Sequence, residues 1–283
     1  MMKKTEKTID EAAAFPDAEK RRLSGRTVIL LLALALILSV ICSFALGRYP
    51  VSLRELGGIL LDRLPFVSIK PFWSSAQAAA VWNVRLPRIL LAVLVGACLS
   101  AAGAAYQGVF QNPIAAPDIL GASAGAGFGA ALAIFLGLGS TGITALAFGS
   151  SLITVFLVFL IGNRVKGDKT LGLVLAGIMI SSLFQAGTSY IKLVADPNNK
   201  LPAITYWLMG SLSGAKNEEL GFIIWPMLLG MLPLFAMRWR LTVITMGDDE
   251  ARAMGVDAVK VRLAVVFGAT LVTAASVSVS GMI

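Results

Sequence analysis

The residues able to do chemistry are few, and they stand at the ends of apolar runs. Arg85 and Arg88, in Arg85-Leu-Pro-Arg88, are two permanent cations three positions apart, suited to paired recognition of carboxylate or phosphate. The string Gly247-Asp248-Asp249-Glu250-Ala251-Arg-Ala-Met254-Gly255-Val-Asp257 gathers acids ahead of a short helical stretch. Asp248 can cap that helix, Asp249 and Glu250 complement its dipole, Gly255 can stop it, and Asp257 can cap the next one. Gln111-Asn112-Pro113-Ile114-Ala-Ala-Pro117-Asp118 is a stiff connection in which two prolines break a helix and Asp118 can cap its successor. Ser181, Ser182 and Gln185 are neutral hydrogen-bonding groups inside an apolar run.

The missing residue types exclude more than the present ones suggest. There is no His, and both cysteines, Cys42 and Cys98, sit in apolar runs. A Cys/His zinc centre, a disulfide framework and His-dependent nucleophilic catalysis are therefore disfavoured. Gly121-Ala-Ser-Ala-Gly125 copies a nucleophile elbow and Gly125-Ala-Gly-Phe-Gly-Ala130 a dinucleotide fingerprint. Both fail on context, because each needs a preceding strand and an apolar helix surrounds them instead.

The elements that position these residues are membrane spans. Of the 283 residues, 57% are hydrophobic and 14% charged, with a net charge of +8. A helix crossing hydrocarbon needs about 20 mainly apolar residues, since every backbone amide must pair within its own segment. Seven uncharged runs qualify: Thr27 to Gly47, Ile89 to Phe110, Ile119 to Leu138, Ile143 to Gly162, Leu171 to Ile191, Leu220 to Met237, and Leu263 to Ile283. The expected fold class is an all-α polytopic membrane protein with no nucleic-acid function. Residues 1–26 are a polar N-terminal tail with seven Lys/Arg, and residues 27–283 form the transmembrane domain. If the tail is cytoplasmic, inner segments carry 15 Lys/Arg and outer segments 9, a modest positive-inside bias. Small residues at 121, 125, 129, 133 and 137, and again Gly96, Ser100, Ala104 and Gly108, predict close helix contacts.

On this topology Arg85 and Arg88 lie outside, where they either grip lipid headgroups or receive a partner. The 238–262 segment lies inside, as a solvated connector or as a docking shoulder. Ser181, Ser182 and Gln185 either bond between helices or line a pathway. The 111–118 connection is a constriction or a plain hairpin. No carboxylate or His lies in the spans and no phosphate-binding Gly-Lys-Ser/Thr loop occurs. An ion-coupled transporter is thus disfavoured, and a hydrolysed nucleotide would belong to another polypeptide.

Five strings, in order, closely resemble the FecCD-type permease family: Arg85-Leu-Pro-Arg88 with Gly96-Ala, Gln111-Asn-Pro-Ile-Ala-Ala-Pro117 with Leu120-Gly121, Leu175-Ala-Gly177, Tyr206-Trp-Leu-Met-Gly210, and Gly247-Asp-Asp-Glu-Ala-Arg-Ala-Met-Gly255. These permeases are the membrane subunits of binding-protein-dependent ABC importers for ferric siderophores, haem and cobalamin. The resemblance implies no enzymatic activity and no cofactor on this chain, with ATP and Mg on a cytoplasmic ATP-binding cassette subunit. It implies docking of an extracytoplasmic substrate-binding protein on Arg85 and Arg88, and an inner gate at Asn112, Pro113, Ile114 and Thr170. It also implies a pathway lined by Ser181, Ser182 and Gln185, and ATPase coupling through Asp248, Asp249, Glu250, Ala251, Met254, Gly255 and Asp257. A second permease copy or paralogue completes the pathway, in a bacterial cytoplasmic membrane with the N-terminus inside. The family bundle has about ten helices, so a chain that stops in its seventh run is expected to be C-terminally truncated. A non-transporting remnant is the alternative that this leaves.

Overall fold

A computed structural model describes residues 24–47, 49–63, 70–162, 164–165, 169–214 and 217–282, the side chains of 169–170 and 217–219 excepted. The tail at 1–23, Ile283 and the side chain of Thr170 lie outside the described residues. The chain divides into two units, 1–48 and 49–283. In the first, α1 (Gly25–Ala45) is a single apolar helix exposed along most of its length, as a lipid-facing span is.

The second unit opens with a short helix, α2 (Leu53–Leu61), started by a reciprocal Ser52–Glu55 capping box. A second such box, Ser74 with Gln77, starts α3 (Ser75–Phe110), which winds as a π-helix over Ala80–Arg85 before continuing as an α-helix. There follow α4 (Ala122–Phe135), α5 (Ser140–Gly162), α6 (Lys169–Val194), α7 (Lys200–Met209), α8 (Asn217–Ala236), α9 (Arg238–Ile244), α10 (Asp248–Ala253) and α11 (Ala258–Ser280). The protein is all-helical and polytopic. Among the described residues five helices are long and apolar enough to cross a membrane, or six if α8 and α9, bent by 56°, count as one span.

The third expected span differs. Its helix, α4, has only 14 residues, about 21 Å at 1.5 Å per residue against a hydrocarbon thickness near 30 Å. The non-helical segment before it makes up depth, and buries Ala115 and Leu120. Its amides are satisfied locally: Ile114 N–H donates to Asn112 Oδ1 at 2.9 Å and Ser123 N–H to Asp118 Oδ1 at 2.6 Å. Irregular backbone at membrane depth persists only where it is buried in protein or lines a cavity.

The core is organised around α11, which packs on α3, α4, α5 and α8 and is the most buried span. Its Thr273, Ser276 and Ser280 hydroxyls donate back to carbonyls one turn earlier, so they bring no unsatisfied polarity to the centre. Buried Tyr106 and Thr270 share a 3.0 Å hydrogen bond across α3 and α11. The small-residue stripe of α4 does what its spacing predicts: Gly125 and Gly129 lie against Ser150 and Leu146 backbone of α5. The stripe on α3 does not. Gly96, Ser100 and Ala104 are exposed, and only Gly108 packs, under Leu241.

Three contacts group the chain ends by face. Arg88 meets the 210–214 loop, Lys200 Nζ donates to Phe135 O at 2.7 Å, and Gln111 meets α9. Each of these three contacts joins segments predicted to share a side.

Candidate functional site

At one face, Arg85 and Arg88 part company. Three positions on an ordinary helix would place both on the same side, but Arg85 closes the π-helical stretch and is buried, donating to the Tyr49 carbonyl. Arg88 is exposed, and its Nη2 donates to Ser213 O at 3.0 Å. Arg85 thus ties Tyr49 to α3, while Arg88 stands at the surface.

At the opposite face, the connection 111–118 ends α3. Gln111 takes a left-handed conformation (φ 48°), the one positive φ outside glycine among the described residues. Its side chain turns across and donates from Nε2 to the Ile244 carbonyl of α9 at 2.8 Å. Asn112 and Pro113 are exposed and Ile114 is 86% exposed. With Ser100, Ala104 and Gln107, Ile114 lines an open groove of about 590 Å³ along α3. Nothing in the spacing of Gln111 points to Ile244.

This contact carries a prediction. Removing the Gln111 side chain by substitution to Ala deletes one hydrogen bond, worth about 1 kcal/mol or roughly fivefold in an opening equilibrium. Maleimide labelling of a cysteine placed at the buried position 115, in a Cys42→Ser background, is expected to accelerate by about that factor. Identical rates would show that the connection is held without Gln111.

The acidic segment is built differently from its predicted capping. Gly247 (φ 133°) occupies the N-cap of α10, and Asp248 stands in the first turn. Its carboxylate instead takes a two-pronged hydrogen bond from Arg262 of α11, Nη2 to Oδ1 at 2.6 Å and Nη1 to Oδ2 at 2.9 Å. Gly255 ends the helix at φ +75° and Asp257 caps α11 by accepting from Lys260 N–H, as expected. That hydrogen bond, with the Lys260 side chain, holds the Asp257 carboxyl below its usual range. Ala251 is wholly buried, a correction to its expected place on an outer coupling surface, because it is the residue by which α10 seats in the core. Asp249, Glu250, Arg252 and Met254 are exposed.

Of the three candidate pathway residues on α6, Ser181 turns to Gly121 at the contact with α4, and Ser182 and Gln185 lie on the exposed side. Ser182 Oγ donates to Ile178 O. Gly177 packs on the Ile119 carbonyl, which fixes α6 against the segment leading into α4.

A model of the FecCD transport family matches residues 34–283. The chain is 36% identical over 270 residues to the molybdate import system permease protein MolB of Haemophilus influenzae, covering 95% of this chain and 77% of that one. It is 32% identical over 269 residues to the Fe(3+)-citrate import system permease protein YfmE of Bacillus subtilis (93% and 76%). It is 32% identical over 231 residues to the hemin transport system permease protein HmuU of Yersinia pestis (77% and 67%). A solved inward-facing conformation of a metal-chelate type ABC transporter superposes with a TM-score of 0.75 at 34% identity, over 90% of this chain and 76% of that one.

Proposed function

The chain belongs to the FecCD transport family of ABC permeases, multi-pass inner-membrane transport subunits rather than enzymes, and from that premise we propose that it passes an iron chelate such as a ferric siderophore, or haem or cobalamin, through the membrane. The relatives' names extend the range of substrates to molybdate. A separate cytoplasmic ATPase, carrying ATP and Mg, drives the cycle, and a substrate-binding protein delivers the ligand to the opposite face. A second permease copy supplies the other wall of the pathway.

The observation that carries this reading is the tie between the two inner elements. The connection 111–118, taken as the gate, is bonded through Gln111 to α9, and α9 leads directly into α10, taken as the ATPase shoulder. A push on α10 therefore reaches the gate through a few residues of helix. The exposed residues Asp249, Glu250 and Met254 form the shoulder's contact surface, while Asp248, Ala251, Gly255 and Asp257 shape and seat it. Ser182 and Gln185 face the pathway.

Docking tests the reading. Arg88→Glu should weaken association of the binding protein by about tenfold at low ionic strength, with a smaller loss as salt rises. Arg85→Glu should instead lower the thermal stability of the permease itself, since it removes an interior bond. Unchanged affinity and salt slope for Arg88→Glu would remove the docking role.

A further inference from the structure

The exposed face of α8 is an apolar stripe, Leu228, Leu232 and Phe235, each at least half exposed. The helix then bends by 56° at Met237, and the next residue on the same stripe is Trp239, 61% exposed. Arg238 and Arg240 flank it, both exposed. An apolar face that ends in a Trp between two arginines is the signature of a helix passing from hydrocarbon into the headgroup layer. Among the described residues neither guanidinium is paired with a carboxylate. The nearby acids are already engaged or lie beyond the turn: Asp248 is held by Arg262, and Asp249 faces Arg252 at 3.8 Å.

The other side of α9 is buried. Val243 and Ile244 sit in the core, Leu241 packs on Gly108, and the Ile244 carbonyl receives Gln111. One seven-residue helix thus presents a cationic, aromatic surface outward and holds the 111–118 connection inward.

We propose that Arg238, Trp239 and Arg240 bind the phosphate of anionic phospholipid headgroups, and that bound lipid fixes the position of the 111–118 connection through Ile244 and Gln111. The occupant is a lipid rather than the ATPase because an exposed Trp, between two cations with no carboxylate partner among the described residues, stands directly beyond the end of an exposed apolar stripe, at the bend after α8. Only the second half of the proposal rests on the reading of 111–118 as a gate.

The test uses this chain alone in nanodiscs, with no ATPase or binding protein, so its failure is separate from failure of the docking experiment. The contribution of Trp239 is isolated by subtracting the fluorescence of Trp239→Phe. Each arginine near an anionic surface favours binding by about fivefold, so brominated phosphatidylglycerol should quench Trp239 at least about fivefold more than brominated phosphatidylcholine at equal mole fraction. Arg238→Gln with Arg240→Gln should erase that preference. In the same discs, maleimide labelling of a cysteine at the buried position 115 should slow when phosphatidylglycerol is added, and the double substitution should abolish the slowing. Equal quenching by the two lipids, or a preference that survives the double substitution, overturns the lipid site and favours a protein-docking surface. Selective quenching with unchanged labelling at 115 overturns the link to the connection.

Discussion

Leucine at position 129 should leave little stably folded protein. A Cβ there overlaps the Leu146 carbonyl, and the atoms in the way are backbone, which no rotamer change can move. The helices α4 and α5 must separate, and with them goes the close van der Waals contact that holds membrane helices together where no hydrophobic driving force operates. Overpacking against a rigid neighbour costs about 3 kcal/mol or more. The denaturation midpoint of purified protein in mixed detergent should fall accordingly. Gly149→Leu is the control: it lies on the same helix pair, and a Cβ there meets nothing within 4 Å. Its stability should stay within about 0.5 kcal/mol of the parent. Equal losses at 129 and 149 would show that helix propensity or insertion, rather than the α4–α5 contact, sets the response.

The second large effect concerns the Asp248–Arg262 pair, and it separates stability from transport. Arg262 and Asp248 side chains retain 28% and 42% of their exposure, so Arg262→Ala leaves an aspartate that water can reach. The stability loss should be modest, about 1–2 kcal/mol. The functional loss should be greater, because the first turn of α10 would then lose its side-chain tie to α11 and keep only the seat of Ala251 in the core. In proteoliposomes holding the assembled importer, with ferric citrate or haem as the probe, ATP hydrolysis should persist while uptake drops by about tenfold, a coupling loss of roughly 1.4 kcal/mol. Exchanging the two charges, by Asp248→Arg with Arg262→Asp, should restore part of the uptake. Arg262→Lys should do less well than the parent because it cannot form the two-pronged bond. Full uptake by Arg262→Ala would mean that the salt bridge plays no part in transmission.

That the chain crosses the membrane several times was legible because long uncharged runs admit one physical solution, although of the seven runs only five, or six with α8 and α9 taken as one, form long enough helices among the described residues. The close approach of α4 to α5 was legible from four-residue spacing of small side chains. The same inference failed on α3, where Gly96, Ser100 and Ala104 have the right spacing but line an open groove. Small residues permit an approach without specifying that a neighbour makes it. The short α4 was hidden because hydropathy does not register the prolines and the Gly121 turn that keep the first part of that run out of the helix. The differing fates of Arg85 and Arg88 turn on what packs against each, Tyr49 for the first and the Ser213 loop for the second, contacts that have no marker in composition. The two bonds that hold the 238–262 segment, Gln111 with Ile244 and Arg262 with Asp248, join residues 133 and 14 positions apart. Pairings of that kind depend on the packed bundle and are invisible to local pattern.

The brevity of α4 makes it depend on its neighbours for cover. Only four residues separate its end from Ser140, and Gly125 and Gly129 fit α5, while Gly127 faces Leu208 of α7 and Gly121, just before the helix, faces Ser181 of α6. A 14-residue peg walled in by three longer or flanking helices owes its place to fit rather than to length, so a bulkier side chain on any of those faces has no free side to escape to.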